Sequence, residues 1–235
     1  RMLTFNFSNI YLSRGNKILD VGCGEGRHIF GAMDAQSGLN LFGVDMDIPS
    51  LEKSNEGLDF FREMDFNLVK FLQGSIYNLP FQDNELDVVI CSEVLEHLED
   101  YNKAIQEIHR VLKPGGYFLA SVPSFLPEKI CWMLSKEYQN MPGGHVRIFK
   151  KSNILKVMQD HNFSFIQSEK YHAFHSAYWW LRCIFWKTQE NNFLVKVYKK
   201  ILERHILKNT PIMDVIEKLL NPILGKSISF YFKKN

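Results

Sequence analysis

ILDVGCGEGRH, residues 18–28, runs from an apolar segment that ends in Asp20 into Gly22, Gly24 and Gly26. Glycines let the backbone turn tightly and approach a ligand closely, because they lack a Cβ. Dinucleotide-binding loops usually space their glycines by two and then three residues, whereas the spacing here is two and two. An acidic residue before the first glycine would repel a pyrophosphate but would suit an ammonium group. The stretch therefore predicts a strand-to-helix turn at a nucleotide-like ligand.

Short apolar runs alternate with helical patterns as far as residue 122. This alternation predicts a parallel sheet with helices on both faces and a ligand at the carboxyl ends of the strands. Pro114, Gly115 and Gly116 are expected to end the helix that begins near Glu99. The predicted strands cover residues 17–21, 40–45, 68–73, 85–91 and 116–122.

Four later segments follow the glycines in order, at residues 41–47 (LFGVDMD), 73–81 (QGSIYNLPF), 86–99 (LDVVICSEVLEHLE) and 110–123 (RVLKPGGYFLASVP). Together with the glycines they resemble the motifs of the class I S-adenosylmethionine-dependent methyltransferases, of the type 11-like kind. The resemblance covers residues 17–123 and thins out beyond them. It implies a Rossmann-like α/β fold: a seven-stranded, mostly parallel sheet with helices on both faces and a helical cap or insertion before the last strand. That last strand would be antiparallel and would lie between strands five and six.

The resemblance also implies a cofactor, S-adenosylmethionine, which leaves as S-adenosylhomocysteine. Asp45 corresponds to the carboxylate that accepts both ribose hydroxyls. Ser75 stands where many relatives carry an aspartate that accepts from the adenine amino group, and a neutral hydroxyl is a weaker acceptor. The predicted cofactor contacts are Asp20, Gly22, Cys23, Gly24, Gly26, Asp45, Met46, Ser75, Ile76 and Ser92.

The chain has 235 residues, of which 46% are hydrophobic, and this length fits one domain with an insertion better than two domains. We therefore expect a single methyltransferase domain over residues 1–235. Its parts are a cofactor-binding core (1–123), a substrate-side loop (124–150), a helical insertion (172–225) and the last strand (226–234).

Charge is distributed unevenly along the chain. Residues 1–113 hold 10 Lys and Arg against 18 Asp and Glu, whereas residues 114–235 hold 18 against 8, which gives −8 and +10 and the total of +2. The basic second half suggests an anionic substrate or a lipid headgroup layer. Lysines that merely solvate helices would give the same imbalance.

The cysteines indicate a reducing compartment. Cys23, Cys91, Cys131 and Cys183 show no C-x-x-C spacing, so reduced thiols in a cytoplasmic protein are expected. The sequence shows no signal-peptide pattern and no uncharged apolar run long enough to span a membrane.

The insertion between the last two strands opens with an aromatic segment, residues 171–186 (YHAFHSAYWWLRCIFW). A helix that is apolar all round is expected to be buried on more than one side. A second helix, residues 193–208, has an apolar stripe opposite a basic one, and a third is expected over residues 213–220. The apolar stripe comprises Leu194, Val197, Ile201, Leu202 and His205, and the basic one Lys196, Lys199, Lys200, Arg204 and Lys208.

Two interpretations of this insertion remain open. We favour a helical cap that roofs the substrate pocket, because buried aromatic helices are commoner than membrane-surface ones. The alternative is a peripheral contact with the inner face of a membrane, with Trp179, Trp180 and Trp186 at headgroup depth and the basic stripe on anionic lipid. Either interpretation favours a large apolar substrate over a small polar one.

Catalysis needs a general base only if the methyl acceptor must lose a proton. His145 is the first candidate, because imidazole titrates near neutrality and the preceding Gly-Gly could place it over the methyl group. His172 and His175 are second candidates. A hydrogen-bonded structural histidine is the competing interpretation for each.

Glu93, Glu96 and His97 resemble the E-x-x-E-H of ubiquinone-pathway and small-RNA methyltransferases, in which these side chains help to hold a divalent cation. His145 would complete that set. The same string also occurs in metal-free relatives, so we do not expect a divalent cation and keep this metal site as an alternative.

These observations predict a methyltransferase that acts on a small, apolar or lipid-like acceptor, with transfer to oxygen slightly favoured. A sensor that binds S-adenosylmethionine without catalysis is one alternative. An RNA methyltransferase is another, although the N-P-P-Y-type motif and an RNA-binding module are absent from the sequence, so nucleic acid is not an expected partner. The sequence leaves the oligomeric state open.

Overall fold

The computed structural model describes residues 3–59, 68–208 and 210–235. Its strands are β1 (Lys17–Val21), β2 (Asn40–Asp45), β3 (Leu68–Gln73), β4 (Leu86–Ser92), β5 (Leu112–Pro123), β6 (Phe163–Tyr171) and β7 (Ser227–Lys234). Its α-helices are α1 (Arg27–Ala35), α2 (Ile48–Asp59), α3 (Tyr101–Val111), α4 (Phe125–Leu134), α5 (Lys136–Gln139), α6 (Lys151–Asp160), α7 (Ala173–Ile184), α8 (Phe193–Leu207) and α9 (Pro211–Leu224).

The described strands form a seven-stranded sheet in the order β3-β2-β1-β4-β5-β7-β6. The strand pairs β3–β2, β2–β1, β1–β4 and β4–β5 are parallel, and β7 lies antiparallel between β5 and β6. The predicted Rossmann-like fold, including the position of its last strand, is confirmed. The chain changes direction across the sheet beside β1, and such a switch point is where open α/β sheets bind ligands.

Hydrophobic side chains of the central strands pack on both faces of the sheet. In β1, Ile18 belongs to one buried cluster and its neighbour Leu19 to another. Val88 and Val89 in β4 divide in the same way. Because successive side chains of a strand point to opposite faces, the two clusters lie on opposite sides of the sheet. Because both faces of β1 and β4 are buried, the carboxyl ends of these strands are held in place.

The end of α3 differs from the prediction. The helix stops at Val111, and Pro114, Gly115 and Gly116 lie within β5. Leu86 pairs with Leu112 but Val88 pairs with Tyr117, so the segment between them bulges. Leu112 leaves the helix because it pairs with β4, and the bulge accommodates a proline that has no N–H to donate.

The predicted insertion forms α7, α8 and α9, but two details differ. The last helix runs to Leu224 and includes Pro222, instead of ending at residue 220. In α8, Leu202 and His205 are buried as expected, whereas Leu194, Val197 and Ile201 are exposed. The helix is rotated toward α7 through Val195, Leu202 and His205, so the remainder of the predicted stripe faces outward.

The aromatic helix α7 packs against α4, α8 and α9, which confirms burial on several sides. Trp179, Trp180 and Trp186 pack beside the buried Cys131 and Cys183, and the Trp180 indole donates to the Pro127 carbonyl at 3.0 Å. This packing agrees with the cap interpretation, and their placement at headgroup depth stays an untested alternative. All four cysteines are free and buried, as predicted for reduced thiols.

Lys234 ties the last strand to the bulge. Its ammonium donates to the carbonyls of His109 and Leu112, each at 2.7 Å, and to Asn84 Oδ1 at 2.8 Å.

Lys234→Met should lower the free energy of unfolding by about 1–3 kcal/mol, because buried acceptors lose a charged donor. Urea denaturation measures this change. Lys233→Met, at the exposed neighbour, should stay within about 0.5 kcal/mol of the wild type; an equal loss would contradict this role.

Candidate active site

The glycine loop makes a close turn between β1 and α1. Gly22, Gly24 and Gly26 have φ of +71°, +51° and +77°, which favour glycine. The Gly22 N–H donates to the Val44 carbonyl at 2.7 Å, and a Cβ on Gly22 would lie 2.4 Å from Cγ2 of Val94. Both the positive φ and the nearby Val94 side chain therefore require glycine at position 22.

Asp45 holds this loop from the end of β2. Its Oδ2 accepts from the Gly24 N–H at 2.7 Å, and its Oδ1 accepts from the Asp47 N–H at 2.9 Å. Each carboxylate oxygen keeps a second lone pair, so ribose hydroxyls could still be accepted.

A cavity of about 290 Å³ opens above the carboxyl ends of β1, β2 and β4. Four predicted cofactor contacts line it: Gly22, Asp45, Met46 and Ile76. The other lining residues are Val21, Val44, Gly74, Glu93, Val94, His97 and Leu98.

Asp20 is buried beneath the loop. Among the described residues, neither of its carboxylate oxygens has a hydrogen-bond partner. Burial raises the pKa of Asp20 to about 8, although the nearby Arg27 opposes that rise. An unpartnered acid at this position fits a cationic ligand such as S-adenosylmethionine, whose ammonium would satisfy and ionise it.

Three predicted cofactor contacts lie beside the cavity without lining it. The Ser75 hydroxyl accepts from the Tyr77 N–H at 3.3 Å, and the residues on either side of Ser75 face the cavity. The Ser92 hydroxyl lies 2.9 Å from that of Ser121. Cys23 is buried in the loop, and burial raises the pKa of its thiol, so it is no ready nucleophile. Their roles stay predictions.

A second cavity, of about 280 Å³, adjoins the first, and Glu93 and His97 line both. Glu93 has a φ of +57°, a strained conformation of the kind often kept at functional sites. The second cavity brings His145 together with His172 and His175, which follow it by 27 and 30 positions along the chain. Its other lining residues are Arg27, Tyr138, Met141, Gly143, Gly144, Trp179, Lys226 and Ser227.

His145 forms a dyad with the buried Glu128 of α4. The distance from its Nδ1 to Glu128 Oε1 is 2.7 Å. Burial alone would raise the pKa of Glu128, but the bond to His145 and the charge of Lys226 outweigh it and lower the pKa to about 2. An ionised carboxylate only accepts, so Nδ1 carries the proton and Nε2 is left as the basic nitrogen.

Glu128 also binds two other lining residues. The Tyr138 hydroxyl donates to its Oε1 at 2.8 Å, and the Lys226 ammonium donates to its Oε2. Burial and the negative charge of Glu128 raise the pKa of Tyr138, which keeps the phenol protonated. The carboxylate therefore fixes three side chains that face the second cavity.

His97 offers a second imidazole beside the first. Its Nδ1 lies 3.0 Å from the Gly143 carbonyl and 3.2 Å from that of Gly144. A carbonyl only accepts, so Nδ1 donates and Nε2 is the basic nitrogen. Burial and the nearby His145 ring lower the pKa of His97, which keeps it neutral at neutral pH.

His172 and His175 form the opposite side of the second cavity. Burial lowers their pKa values to about 3 and about 4, so both are neutral at physiological pH. His172 has a φ of +67°, and among the described residues neither its Nε2 nor Nδ1 of His175 has a partner. Both can therefore donate to or accept from a bound acceptor. With Glu217 they form a cluster whose ligand atoms lie within 4.8 Å of one another.

The structure brings together three of the four alternative metal ligands. Ligand atoms of Glu96, His97 and His145 lie within 4.8 Å of one another, whereas Glu93 is outside this group. Burial, and then the negative charge of Glu93, raise the pKa of Glu96 well above its usual range. A cation would have to displace that proton. The metal site stays an alternative prediction.

Sequence analysis missed Glu128, Tyr138, Lys226 and Arg27. The one available signal was a carboxylate, Glu128, within an apolar helical segment, because such a residue is rarely buried without a partner. Its partners lie 10, 17 and 98 positions away along the chain, and no local pattern identifies them.

Comparison with known proteins identifies relatives of this chain. A family model described as a methyltransferase domain matches residues 12–177. A demethylmenaquinone methyltransferase of Staphylococcus saprophyticus is 31% identical over 161 residues, which are 66% of each chain. A sterol 24-C-methyltransferase of Gibberella zeae is 37% identical over 114 residues, which are 47% of this chain and 28% of that enzyme. The chain thus spans between 28% and 66% of the length of these two relatives.

Among solved structures, a phosphoethanolamine N-methyltransferase of Haemonchus contortus superposes with a TM-score of 0.63 at 21% identity. The match covers 97% of this chain and 51% of that one. A likeness at this identity supports the fold alone.

Asp20 yields a paired prediction for stability and binding. Its folded pKa of about 8 exceeds its unfolded value of 3.8, so the folded state holds the extra proton and loses stability as pH rises from about 4 to 8. Asp20→Asn should therefore unfold at a higher temperature than the ligand-free wild type at pH 8, with the gap shrinking toward pH 4. It should also weaken S-adenosylmethionine binding about tenfold or more, or ~1.4 kcal/mol. Thermal denaturation and calorimetric titration measure the two effects.

Unchanged cofactor affinity in Asp20→Asn would show that the ammonium lies elsewhere. Asp160→Asn, at the exposed end of α6, provides the control for loss of a carboxylate.

Proposed function

The chain belongs to the methyltransferase-domain family and is a class I S-adenosylmethionine-dependent methyltransferase, and we propose that it methylates a hydroxyl of a small, apolar, lipid-like acceptor. The observation that carries this proposal is the Glu128–His145 dyad in a cavity next to the glycine loop. A base is needed only where the acceptor loses a proton, and a hydroxyl does so whereas an alkene carbon need not.

In this proposal, Asp20, Asp45 and the glycine loop would hold S-adenosylmethionine at the first cavity, where it would supply a methyl group on a good leaving group. The acceptor hydroxyl lies in the second cavity and donates its proton to His145 Nε2. Its oxygen bonds to the methyl carbon as the carbon–sulfur bond breaks, and the electron pair of that bond stays on sulfur. Glu128 stabilises the resulting imidazolium, as the carboxylate of a catalytic triad does.

The walls of the second cavity support an apolar acceptor. Tyr138 and Trp179 face it with their ring centroids 5.7 Å apart. A volume of about 280 Å³ suits a ring-sized group. The relatives named for sterols and demethylmenaquinone would be expected to handle apolar molecules, which agrees with this substrate class. We further propose a cytoplasmic enzyme that takes its acceptor from a membrane surface.

His145→Ala should lower turnover at least tenfold and leave S-adenosylmethionine affinity unchanged, because it removes the base and not the cofactor cavity. Glu128→Gln should lower kcat by about 10- to 100-fold, because the amide no longer holds the imidazole in one tautomer. Steady-state kinetics and calorimetric titration measure both. His161→Ala is the matched control, since this half-buried histidine contacts Asn102 and lines neither cavity. A wild-type rate in His145→Ala would remove it from the mechanism.

Prolonged chelation distinguishes the two uses of His97 and His145. If the imidazoles act as bases, dialysis against EDTA should leave turnover unchanged. Loss of turnover that Mg²⁺, Mn²⁺ or Zn²⁺ restores would instead favour the site formed by Glu96, His97 and His145.

A screen of extract fractions with methyl-labelled S-adenosylmethionine tests the substrate class. We expect label in the lipid fraction, in a base-stable ether or aromatic ether. Label in RNA would contradict the proposal and support the RNA methyltransferase alternative.

A further inference from the structure

Helix α9 directs its apolar face away from the protein. The side chains Ile212, Val215, Ile216, Leu219 and Ile223 are all exposed, with Ile212 at 77% and Leu219 at 73%. They recur at the three- and four-residue spacing of one helix face. Among the described residues of α9 no side chain is buried.

The opposite, polar face of α9 is turned toward the protein and is held there by specific bonds. Asn221 Oδ1 accepts from the Ala173 N–H at 3.0 Å, and Glu217 Oε1 accepts from the Phe174 N–H at 3.4 Å. His205 Nε2 lies 3.5 Å from Asp214 and 3.7 Å from Glu217. These contacts fix the rotation of the helix, so the outward apolar face is part of the fold.

Helix α8 carries further exposed apolar side chains and positive charge. Phe193, Leu194, Val197 and Ile201 are exposed. The exposed basic side chains of α8 are Lys196, Lys199, Lys200 and Arg204, and its one carboxylate is Glu203. In α9 the carboxylates Asp214 and Glu217 lie near His205, although the Asp214 side chain keeps 43% of its surface exposed, and Lys218 is an exposed positive charge. The outer surface of the two helices is therefore apolar and cationic.

A groove of about 580 Å³ runs along one side of α9, where Lys218 and Pro222 face β6. Lys151, Lys170 and Lys218 line it. Its carboxylate, Glu169, already accepts from Asn9 at 3.0 Å and from Tyr171. Three ammonium groups beside an apolar face suit the phosphates of lipid headgroups.

We propose that α8 and α9 dock the enzyme on an anionic phospholipid membrane, with the apolar face of α9 inserted at the acyl boundary and the lysines on the headgroups. None of the described helices is long and apolar enough to cross a bilayer, so this contact is peripheral. The inference rests on the proposed function in one respect, because the bilayer would be the source of an apolar acceptor.

Charge distinguishes a membrane from a second copy of the chain. A symmetric dimer through this face would bury the same cationic surface from each copy, so it would add positive charge to positive charge without supplying counter-charges. Anionic lipid instead complements them, at about 1 kcal/mol for each lysine near the surface. The complementary charge favours the membrane.

Vesicle flotation of the full chain tests the proposal. We expect at least tenfold more protein to float with vesicles that contain about one third phosphatidylglycerol than with phosphatidylcholine alone, and less at high salt. The double variant Ile212→Glu/Leu219→Glu should lose flotation at least tenfold, and Lys196→Glu/Lys200→Glu should lose the preference for anionic vesicles.

Two controls match these changes. Leu68→Glu alters an exposed apolar residue of β3, at the sheet edge opposite β6, and Lys103→Glu reverses an exposed charge on α3. Both should float as the wild type does. Circular dichroism and thermal denaturation confirm that every variant is folded.

Three results would overturn the proposal: no flotation of the wild type, flotation unchanged in the α9 double variant, or a wild-type dimer that this variant converts to a monomer. The last would assign the face to a second copy. Failure of docking and failure of the proposed function are distinguishable, because His145→Ala should float normally without turnover, whereas Ile212→Glu/Leu219→Glu should retain S-adenosylmethionine affinity.

Discussion

The ionised carboxylate of Glu128 is the interaction on which the walls of the second cavity depend. It is fully buried, and its oxygens are shared among Tyr138, His145 and Lys226. A buried charge without such partners would cost several kcal/mol. The partners come from α5, from the loop that follows it and from the residue before β7. One carboxylate thereby fixes the positions of three separate chain segments and sets the tautomer of a histidine.

The cofactor side was largely predictable from sequence because its determinants are local. The glycines of the loop, Asp45 and the strand ends lie in short segments whose patterns specify both conformation and position. An acidic residue at position 20 would repel a pyrophosphate, which the sequence alone indicates. The structure adds that Asp20 is buried without a hydrogen-bond partner among the described residues. The class of enzyme and the order of strands follow from the same segments.

The acceptor side was less predictable, because periodicity reports which residues share a helix face but not which way the face points. In α9 the apolar face points outward, since Asn221 and Glu217 on the opposite face accept hydrogen bonds from backbone N–H groups of α7. In α8 the rotation toward α7 exposes Val197 and Ile201. The prediction that Pro114 ends α3 was wrong for a related reason. A Pro-Gly-Gly stretch is compatible with a strand bulge as well as with a helix end, and only the pairing with β4 decides between them.

The position of β7 has a consequence for how the molecule assembles during synthesis. Strands β1 to β5 are complete by residue 123, and their parallel order can form as the ribosome delivers them. Strand β6 cannot join this sheet until residues 227–234 exist, because β7 lies between it and β5. Lys226 reaches Glu128 across 98 positions at the same late stage. All residues that line the first cavity are therefore synthesised before Lys226 and Ser227, which complete the lining of the second.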